Sequence, residues 1–481
     1  MSTSTHYAAL VIGSGQGGTP LATAFAKAGH KTALVEATHV GGCCINEGCT
    51  PTKTMIASGR VAYLTRRAAD FGVHARDIKV DMEKVRQRKR DIVESFRSGS
   101  ERRLKDGGVT LIRGTASFVD GKTVRVRGTD GDKTISADRI VINTGARPVV
   151  PRLEGLDTAT FPEGTVLDST TIQELGVVPN HLVVIGGGYI GVEFGQLFRR
   201  LGARVTILQR NSQLLPREDS DVAAALFKIL KEDGITVHFN ATPTRITTSA
   251  APHSMHPVTL TVKFHDGAEI ELQSSHVLFA AGRTPNTDTL NPGAAGVSLG
   301  PGGYVKVDEQ LRTTNPRIWS IGDVKGGPAF THVSYDDFRI VQRNLISETG
   351  STSAATITDR DLLTTYVVYT DPQLGHIGLH LHEAQARFRG VALQVATMPM
   401  NYVARALETD ETRGLMKAVV NKESKKILGF TCLGLEGGEI MSVVQMTMIG
   451  GLPYTALQNA MFSHPTLAES LNNLWGFLKD V

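Results

Sequence analysis

Cysteine is nearly missing from this chain, with four residues in 481. That excludes a disulfide framework as the source of stability, and the length gives no need of one. A chain of 481 residues holds two to four domains that each bury a core. Long apolar runs are missing too. No stretch of about 18 apolar residues occurs, so no membrane-spanning helix is expected. The opening MSTSTHYAALVIGSG has neither the basic start nor the long apolar core of a secretory signal, and the expected location is the cytoplasm. An excess of one charge is also absent, the net charge being +4. The one dense basic run, Lys84 to Arg103, alternates its bases with Asp91, Glu94 and apolar Val85, Ile92, Val93 and Phe96. That is the pattern of a solvated helix face. Without aromatic interleaving or a recognition module it does not point to nucleic acid.

Glycine is what the chain has in excess: 50 residues, against an average share of about 7%. Much of the excess falls in short clusters, and two segments share one pattern. In YAALVIGSGQGGTPLATAFAKAGHKTALVE an apolar strand runs into Gly13-x-Gly15-x-x-Gly18, then an alanine-rich helix, then a second strand ending at Glu36. In NHLVVIGGGYIGVEFGQLFRRLGARVTILQR the order repeats, with Gly186-x-Gly188-x-x-Gly191 and a strand ending at Gln209. A lone GxGxxG is weak evidence, since tight strand-to-helix turns are common. Here each copy follows a buried strand, opens a helix and lies within about 30 residues of a second strand, as a dinucleotide fold requires. The glycines let backbone approach a pyrophosphate, which the helix N-terminus stabilises. Two copies mean two dinucleotides.

VINTGARP (141–148) and LFAAGRTPNT (278–287) each read as a strand entering a glycine turn, and TTNPRIWSIGDV (313–324) places Asp323 after a short apolar strand. From about Asp361 the character changes. Strand-like TTYVVYTDPQLGHIGL, GLMKAVVN and KILGFTCLG precede helical stretches that run to the end, which predicts a separate α+β domain. Residues 347–361, poor in large apolar side chains, read as the linker.

Three of the four cysteines crowd into GGCCINEGCTPTK, where Cys44 and Cys49 are spaced C-x4-C. A zinc site would need CxxC pairs and a second pair elsewhere. The remaining Cys432 is remote, so no metal-ligand set is expected. A thioredoxin-type motif would be C-x-x-C. An offset of five suits a distorted helix in which two sulfurs close a strained disulfide. A thiol near a helix N-terminus also has its thiolate stabilised. Two buried structural cysteines are the plainer alternative.

With these motifs in this order, the chain resembles the FAD-dependent pyridine nucleotide-disulfide oxidoreductases, among them dihydrolipoyl dehydrogenase, glutathione reductase and mercuric reductase. The resemblance rests on GSGQGG, GGCCINEGCTPTK, NTGARP, GGGYIGVEFG, AAGRTPNT, SIGD and HPTLAE, and covers essentially the whole chain. It implies an α/β fold with two Rossmann-like dinucleotide-binding domains, the second inserted in the first. The FAD domain would comprise 1–150 and 281–350, the NAD(P)H domain 151–280, and a C-terminal α+β dimerisation domain 361–481. It also implies roles. Gly13, Gly15 and Gly18 would cradle the FAD pyrophosphate, Glu36 would bind the adenosine ribose, and Asp323 would hold FAD near its ribityl chain. Gly42, Thr144, Gly145, Gly282 and Arg283 would line the cofactor sites with them. Cys49 would lie against the flavin as the charge-transfer thiolate, and Cys44 would be the interchange thiol that attacks substrate. Lys53 would sit by the flavin's reactive edge, paired with Glu193. His464, oriented by Glu469, would deprotonate Cys44 and reprotonate a departing thiol. In the family this histidine reaches the other subunit's site, which implies a homodimer.

An acidic residue ending the second dinucleotide strand would bind the ribose of NAD and repel a 2′-phosphate. Here Gln209 stands in its place and Arg210 follows, so with Gly186, Gly188 and Gly191 the site looks built for NADPH, NADH remaining possible. RALETDETRG (405–414), LLPREDSDV (214–222) and Arg210 look most like mercuric reductases. Those, however, carry a C-terminal cysteine pair and a tyrosine where His464 stands, and this chain ends LWGFLKDV. Cys43 replaces the usual threonine. It reads as a small buried filler or as a third thiol for a soft metal ion. The expected activity is electron transfer from NADPH through FAD and Cys44–Cys49 to a small disulfide or a thiol-bound metal ion. The alternatives are an NAD-linked dihydrolipoyl dehydrogenase and, further off, a redox sensor without turnover.

Overall fold

The structure, a computed structural model, describes residues 5–129, 131–248, 255–346, 354–360 and 362–481. Much of the segment read as a linker, 347–361, lies outside the described residues. The chain forms two compact units, the first of Met1–Thr54, Lys84–Val149 and Gly282–Arg360, the second of Met55–Glu83, Val150–Ala281 and Asp361–Val481.

In the first unit four strands pair in parallel in the order Thr110–Arg113, Thr32–Glu36, Thr5–Ile12, Lys133–Ile142, and Ile318–Ser320 joins the last of these. Thr123–Arg127 and Thr115–Phe118 extend the sheet antiparallel. The central strands are apolar on both faces, as a parallel sheet covered on two sides must be. Leu10, Ile12, Val35, Ile140 and Ile142 enter one core cluster. The alternate residues Ala9, Val11, Leu34 and Val141 enter another, with Leu21 and Phe25 of helix Gly18–Lys27 and Phe338 and Val341 of helix Thr331–Leu345. Register then decides where the loops emerge. Ile12 lies opposite Val35 and Ile142, and Ser320 opposite Ile142. Gly13, Thr38, Asn143 and Gly322 therefore leave one edge of one sheet, the carboxyl ends of its strands, where open α/β sheets bind ligands.

A buried carboxylate holds that edge. Asp337, fully buried, accepts the Gly322 N–H at 2.8 Å, pairs with Arg360 Nη2 at 2.6 Å and lies 3.3 Å from Lys325 Nζ. The basic run read as a solvated helix face lies in helix Met82–Asp106, whose Val93 and Leu104 are buried. Lys89 is buried as well, which the charge pattern does not reveal.

The second unit contains a parallel sheet in the order Thr236–Phe239, Arg204–Gln209, His181–Ile185, His276–Phe279, Val166–Leu167. A three-stranded antiparallel sheet, Ala241–Thr248, Val258–Phe264 and Glu269–Ser274, packs beside it. Its C-terminal part is a six-stranded antiparallel sheet that contains Thr365–Val368, Gln373–Gly378, Leu415–Asn421 and Ile427–Gly434. The sequence predicts helix to the end of the chain, but Leu478–Asp480 is a strand on the edge Leu393–Pro399. An ion network joins the unit's two parts. Asp371 takes Arg60 at 2.5 Å and is also paired with Arg200, while Arg413 reaches Asp233 at 2.7 Å. Burial pushes the Asp371 carboxyl up, but the two guanidinium groups outweigh it and hold the group below the usual range.

Replacing Asp337 leaves Lys325 and Arg360 without their anion and the Gly322 turn without its anchor. Asp337→Ala is expected to cost about 3–5 kcal/mol, read as a lower unfolding midpoint of the flavin-loaded protein together with earlier flavin release on heating.

Candidate active site

The first glycine loop is a steric necessity. A Cβ at Gly18 would lie 2.1 Å from Gly13 O, and one at Gly13, where φ is +102°, would lie 2.3 Å from Asn143 O. Helix Gly18–Lys27 thus starts directly on the strand end, its first N–H groups facing the loop. Asn143 Nδ2 donates to Gly13 O at 3.0 Å. Buried Glu36 accepts the Ser14 N–H at 3.0 Å and its hydroxyl at 2.5 Å, and the Thr38 N–H at 2.9 Å. Ser14 Oγ in turn accepts the Gly41 N–H at 3.0 Å. Gly42, at φ +65°, presses against this loop, since a Cβ there would stand 2.6 Å from Gly15 Cα. The cysteine segment is therefore fastened to the glycine loop by backbone contact.

Cys44 lies in the short helix Gly42–Asn46, and Cys49 opens the long helix Cys49–Arg66. The helix is broken at Glu47 and Gly48, where a Cβ on Gly48 would crowd Cys43 O at 3.0 Å and Cys44 Cα at 3.2 Å. Both cysteines stand as free thiols, the reduced form of the pair. They share a hydrogen bond. That bond from Cys44 to Cys49, and next to it burial, pushes the Cys44 thiol up. The Thr331 hydroxyl lies 3.4 Å from Cys49 Sγ and also hydrogen-bonds Cys44. Cys49, not Cys44, holds the N-terminal position of the long helix, where the dipole favours a thiolate. Burial pushes the Cys43 thiol up too, and its sulfur accepts from Arg283 Nη2 at 3.3 Å. Cys432 is fully buried in strand Ile427–Gly434, its thiol pushed up to about 12 by burial.

The remaining residues read as FAD-binding also gather in this unit. Thr144 Oγ1 donates to Asn286 O at 2.8 Å, and Gly145 and Gly282, at φ +69° and +127°, have nothing within 4 Å of a Cβ position. Arg283 bonds Ala146 O and Cys43, yet its Nε is buried with no hydrogen-bond partner. Burial pushes the Asp323 carboxyl up, Arg283 and Lys325 opposing. Open backbone at Gly145 and Gly282 and an unsatisfied buried donor are what a bound FAD would fill, so the residues fit that group.

The second loop repeats the design within its own unit. A Cβ on Gly191 would lie 1.9 Å from Gly186 O, and one on Gly186, at φ +116°, 2.4 Å from Ala280 O, whereas Gly188 faces open space. Gln209 is buried, accepting the Gly187 N–H at 3.2 Å and donating from Nε2 to Gln213 O at 2.8 Å. A carboxylate could accept the first bond but would meet Gln213 O without a proton. Arg210 is exposed beside it. Buried Glu193, on helix Tyr189–Leu201, accepts the Tyr369 N–H at 2.8 Å. Lys53 is half-buried in the first unit.

His464 Nδ1 lies 2.9 Å from Glu469 Oε2 and 3.0 Å from Oε1, the imidazole side chain being 72% exposed and the carboxylate 19%. A carboxylate only accepts, so Nδ1 carries the hydrogen and Nε2 keeps the basic lone pair. Four partners of the site escaped the sequence reading: Ser14, Asn143, Thr331 and Asp337. Asn143, inside VINTGARP at a strand end, had a local signal, whereas Thr331 and Asp337 had none. Where the sequence predicts no metal ligands, the second unit brings together buried Glu218, His376 and His380, one donor atom of each lying within 4.8 Å of the others. Among the described residues no helix is long and apolar enough to cross a membrane.

Comparison with known proteins agrees with this geometry. The family Pyridine nucleotide-disulphide oxidoreductase matches residues 7–337, and its dimerisation domain matches residues 364–474. The chain is 36% identical to the probable pyridine nucleotide-disulfide oxidoreductase RclA of Escherichia coli (strain K12), over 98% of this chain and 99% of that one. It is 34% identical to the mercuric reductase of Bacillus cereus, over 97% of this chain and 70% of the relative. The solved Cu(II) complex of the HOCl-induced flavoprotein disulfide reductase RclA from Escherichia coli superposes with a TM-score of 0.87 at 36% identity, covering 99% of this chain and 100% of that one. Two dinucleotide folds, a dimerisation domain and a cysteine pair fastened to the first glycine loop thus have one reading: the chain belongs to the pyridine nucleotide-disulfide oxidoreductases and is an NAD(P)H-dependent flavoprotein disulfide reductase that uses FAD.

Proposed function

We propose that the enzyme passes electrons from NADPH through FAD to Cys44 and Cys49, and from them to a small disulfide or a thiol-bound soft metal ion. The observation that carries the reading is the hydrogen-bonded Cys44–Cys49 pair, bridged by Thr331 and seated against the first glycine loop. In this reading the FAD domain comprises 1–150 and 281–350, the NADPH domain 151–280 and the dimerisation domain 361–481. The setting is the reducing cytoplasm, where a free dithiol persists.

Gly13, Gly15 and Gly18 with the helix N-terminus would hold the FAD pyrophosphate, Glu36 the ribose, and Asp323 and Arg283 the remaining polar groups. Gly42, Thr144, Gly145 and Gly282 leave the backbone room. Bound FAD supplies the step between hydride donor and dithiol, taking two electrons from one and giving two to the other. Lys53 would place a positive charge at the flavin. Gly186, Gly188 and Gly191 would take the NADPH pyrophosphate. Gln209, whose amide is committed to Gln213 O, removes the carboxylate that would repel a 2′-phosphate, and Arg210 answers that phosphate's charge.

The dithiol step balances without another reactant. Cys44 Sγ attacks one sulfur of the substrate disulfide, that S–S bond breaks, and the departing thiolate takes a proton. Cys49 gives up its proton to the second leaving sulfur as its Sγ attacks Cys44 Sγ, the mixed disulfide breaks, the second thiol leaves, and Cys44–Cys49 closes as the oxidised pair. Because the Cys44 thiol is held up, the first attack needs a base. His464 of the partner subunit, its Nδ1–H fixed on Glu469, would accept that proton at Nε2 and return it to the leaving thiol. A metal-ion acceptor is supported by the likeness to a mercuric reductase and to a reductase solved as a Cu(II) complex. Cys43, kept protonated by burial and tied to Arg283, serves as a packed side chain and not as a third metal thiolate.

Steady-state oxidation of NADPH and NADH with lipoamide, glutathione disulfide, Hg(II) and Cu(II) tests the reading. NADPH turnover with a disulfide or a metal ion is expected, whereas a preference for NADH with lipoamide would replace it by a dihydrolipoyl dehydrogenase. Arg210→Ala should raise KM for NADPH roughly 10- to 100-fold, the equivalent of about 1.5–3 kcal/mol for a hydrogen bond to a charged group, with KM for NADH changed less than about twofold. His464→Ala should slow disulfide reduction about 10²–10⁴-fold, the usual worth of a general acid–base group. Reduction of ferricyanide, an acceptor that takes no proton from the histidine, should stay near the wild-type rate.

A further inference from the structure

The reactions above leave unused a hydrogen-bonded chain that runs from the second glycine loop into the C-terminal part of the same unit. Tyr189 opens helix Tyr189–Leu201 directly after Gly188, which faces open space. The same helix face continues through Glu193 and Gln196, which accept the N–H groups of Tyr369 and Asp371 at 2.8 and 2.7 Å. The half-buried Tyr189 ring packs on Tyr366 with centroids 5.4 Å apart, and the two hydroxyls share a hydrogen bond. Tyr366 Oη also lies 2.5 Å from Glu218 Oε1 and 3.0 Å from His380 Nε2, both residues being buried. One hydroxyl therefore serves three partners.

A hydroxyl with three partners has one hydrogen to give and two lone pairs to fill. His380 is settled first. Its side chain accepts the Glu383 N–H as the cap of helix Leu381–Arg387, so the nitrogen facing Tyr366 carries the hydrogen and donates it. That leaves Tyr366 one hydrogen and one lone pair for Glu218 and Tyr189. An ionised Glu218 only accepts, so Tyr366 donates to it and Tyr189 spends its own hydrogen on Tyr366. A protonated Glu218 donates to Tyr366, which then donates to Tyr189, and the Tyr189 hydrogen is released. The proton sits on Oε1, because Glu218 Oε2 is buried with no hydrogen-bond partner. His376 takes no part. Its ring lies face to face with that of His380, 3.9 Å away, and its nitrogens bond Thr431 Oγ1 and Gly378 O.

We propose that Glu218 and Tyr366 are positioning residues for the nicotinamide nucleotide: a proton on Glu218 frees the Tyr189 hydroxyl to donate to it, and loss of that proton commits the hydroxyl to Tyr366. The inference rests on the reading that Gly186, Gly188 and Gly191 take the NADPH pyrophosphate. A nucleotide presents mostly acceptors at such a loop, its phosphate oxygens above all, so a donor is what Tyr189 has to offer. The surroundings keep the proton within reach of neutral pH. Burial pushes the Glu218 carboxyl up to about 7 against the Tyr366 hydrogen bond, with Asp219 and Glu383 adding to the rise. The nearby basic groups do not answer its charge. Lys417 is spent on Asp219 and Asp221 at 3.0 and 2.8 Å, Arg217 is exposed, and burial holds His380 and His376 neutral, the latter pushed down to about 3. Proton and nucleotide then favour each other's binding by the same factor. Nucleotide affinity is full below about pH 7 and falls as the pH rises through the Glu218 titration.

The test uses oxidised, flavin-loaded full-length protein titrated with NADP⁺ between about pH 5.5 and about pH 9, binding being read from flavin fluorescence. The Kd of wild type is divided by that of each variant at the same pH, which cancels the titration of the nucleotide's own 2′-phosphate. Against Glu218→Gln, which cannot titrate, the ratio should rise roughly 2- to 10-fold from the acid to the alkaline end, the worth of one hydrogen bond. Tyr366→Phe keeps the carboxyl but cuts the chain, so its ratio should rise as much. A constant ratio against Glu218→Gln overturns the proposal. So does a constant ratio against Tyr366→Phe alone, the mark of a carboxylate acting through space. Arg210→Ala separates this result from the placement of the nucleotide. If it leaves NADP⁺ binding unchanged, the placement falls and the proposal with it. If it weakens binding while the other ratios stay constant, only the proposal falls. Should the Glu218 and Tyr366 variants lose flavin, Tyr189→Phe at the loop end of the chain decides by the same ratio, a rise sustaining the proposal and a constant value removing it.

Discussion

The constraint on which the architecture rests is a contact with no room for a carbon atom. Helix Gly18–Lys27 packs onto Gly13 O, and helix Tyr189–Leu201 onto Gly186 O, so closely that a Cβ at Gly18 or Gly191 would overlap the carbonyl. Each helix therefore begins where its strand ends, with its first turn directed at that point. Parallel register then gathers the other strand ends around that point: Asn143 and Gly322 in one unit, Ala280 and Gln209 in the other. The same steric rule, used twice, makes two strand-to-helix turns of one design whose chemistry is left to the side chains at their rims.

Those rims differ in how their polar atoms are committed. Glu36 takes four hydrogens from Ser14 and Thr38, so its carboxylate is both satisfied and held in place. Gln209 accepts from one neighbour and donates to another, a pair of bonds only an amide can make. The difference between carboxylate and amide at equivalent strand ends is therefore built into the surrounding backbone. Asp337 plays the corresponding part beneath the Gly322 turn, where a fully buried anion meets two cations and an N–H.

Much of this was legible in the sequence because it is local. The glycine spacings, the strands before them and the strand ends at Glu36 and Gln209 depend on neighbours a few residues away, as does the His464–Glu469 contact. What could not be read is what tertiary structure brings together. Thr331 reaches Cys49 across 282 residues, and Glu218 meets His376 only because two sheets of one unit pack there. The last strand was missed for a related reason. Leu478–Asp480 is too short to show alternation and owes its conformation to the edge it joins. The break at Gly48 was half legible: the five-residue offset implied distortion, but not that the distortion ends one helix and leaves Cys49 to begin another.

The hydrogen bond between the two sulfurs also bears on how long the enzyme lasts. Oxidants that damage cysteine attack the thiolate, climbing from sulfenic to sulfinic and sulfonic acid, and the later steps are not undone by thiols. A Cys44 proton shared with Cys49 and sheltered by burial keeps that sulfur in its less reactive form while no base is engaged. Should Cys44 still be oxidised to the sulfenic stage, Cys49 stands beside it to close a disulfide before a second oxidant arrives. The feature that makes the resting dithiol slow to react thus acts as a safety catch on the sulfur that does the attacking.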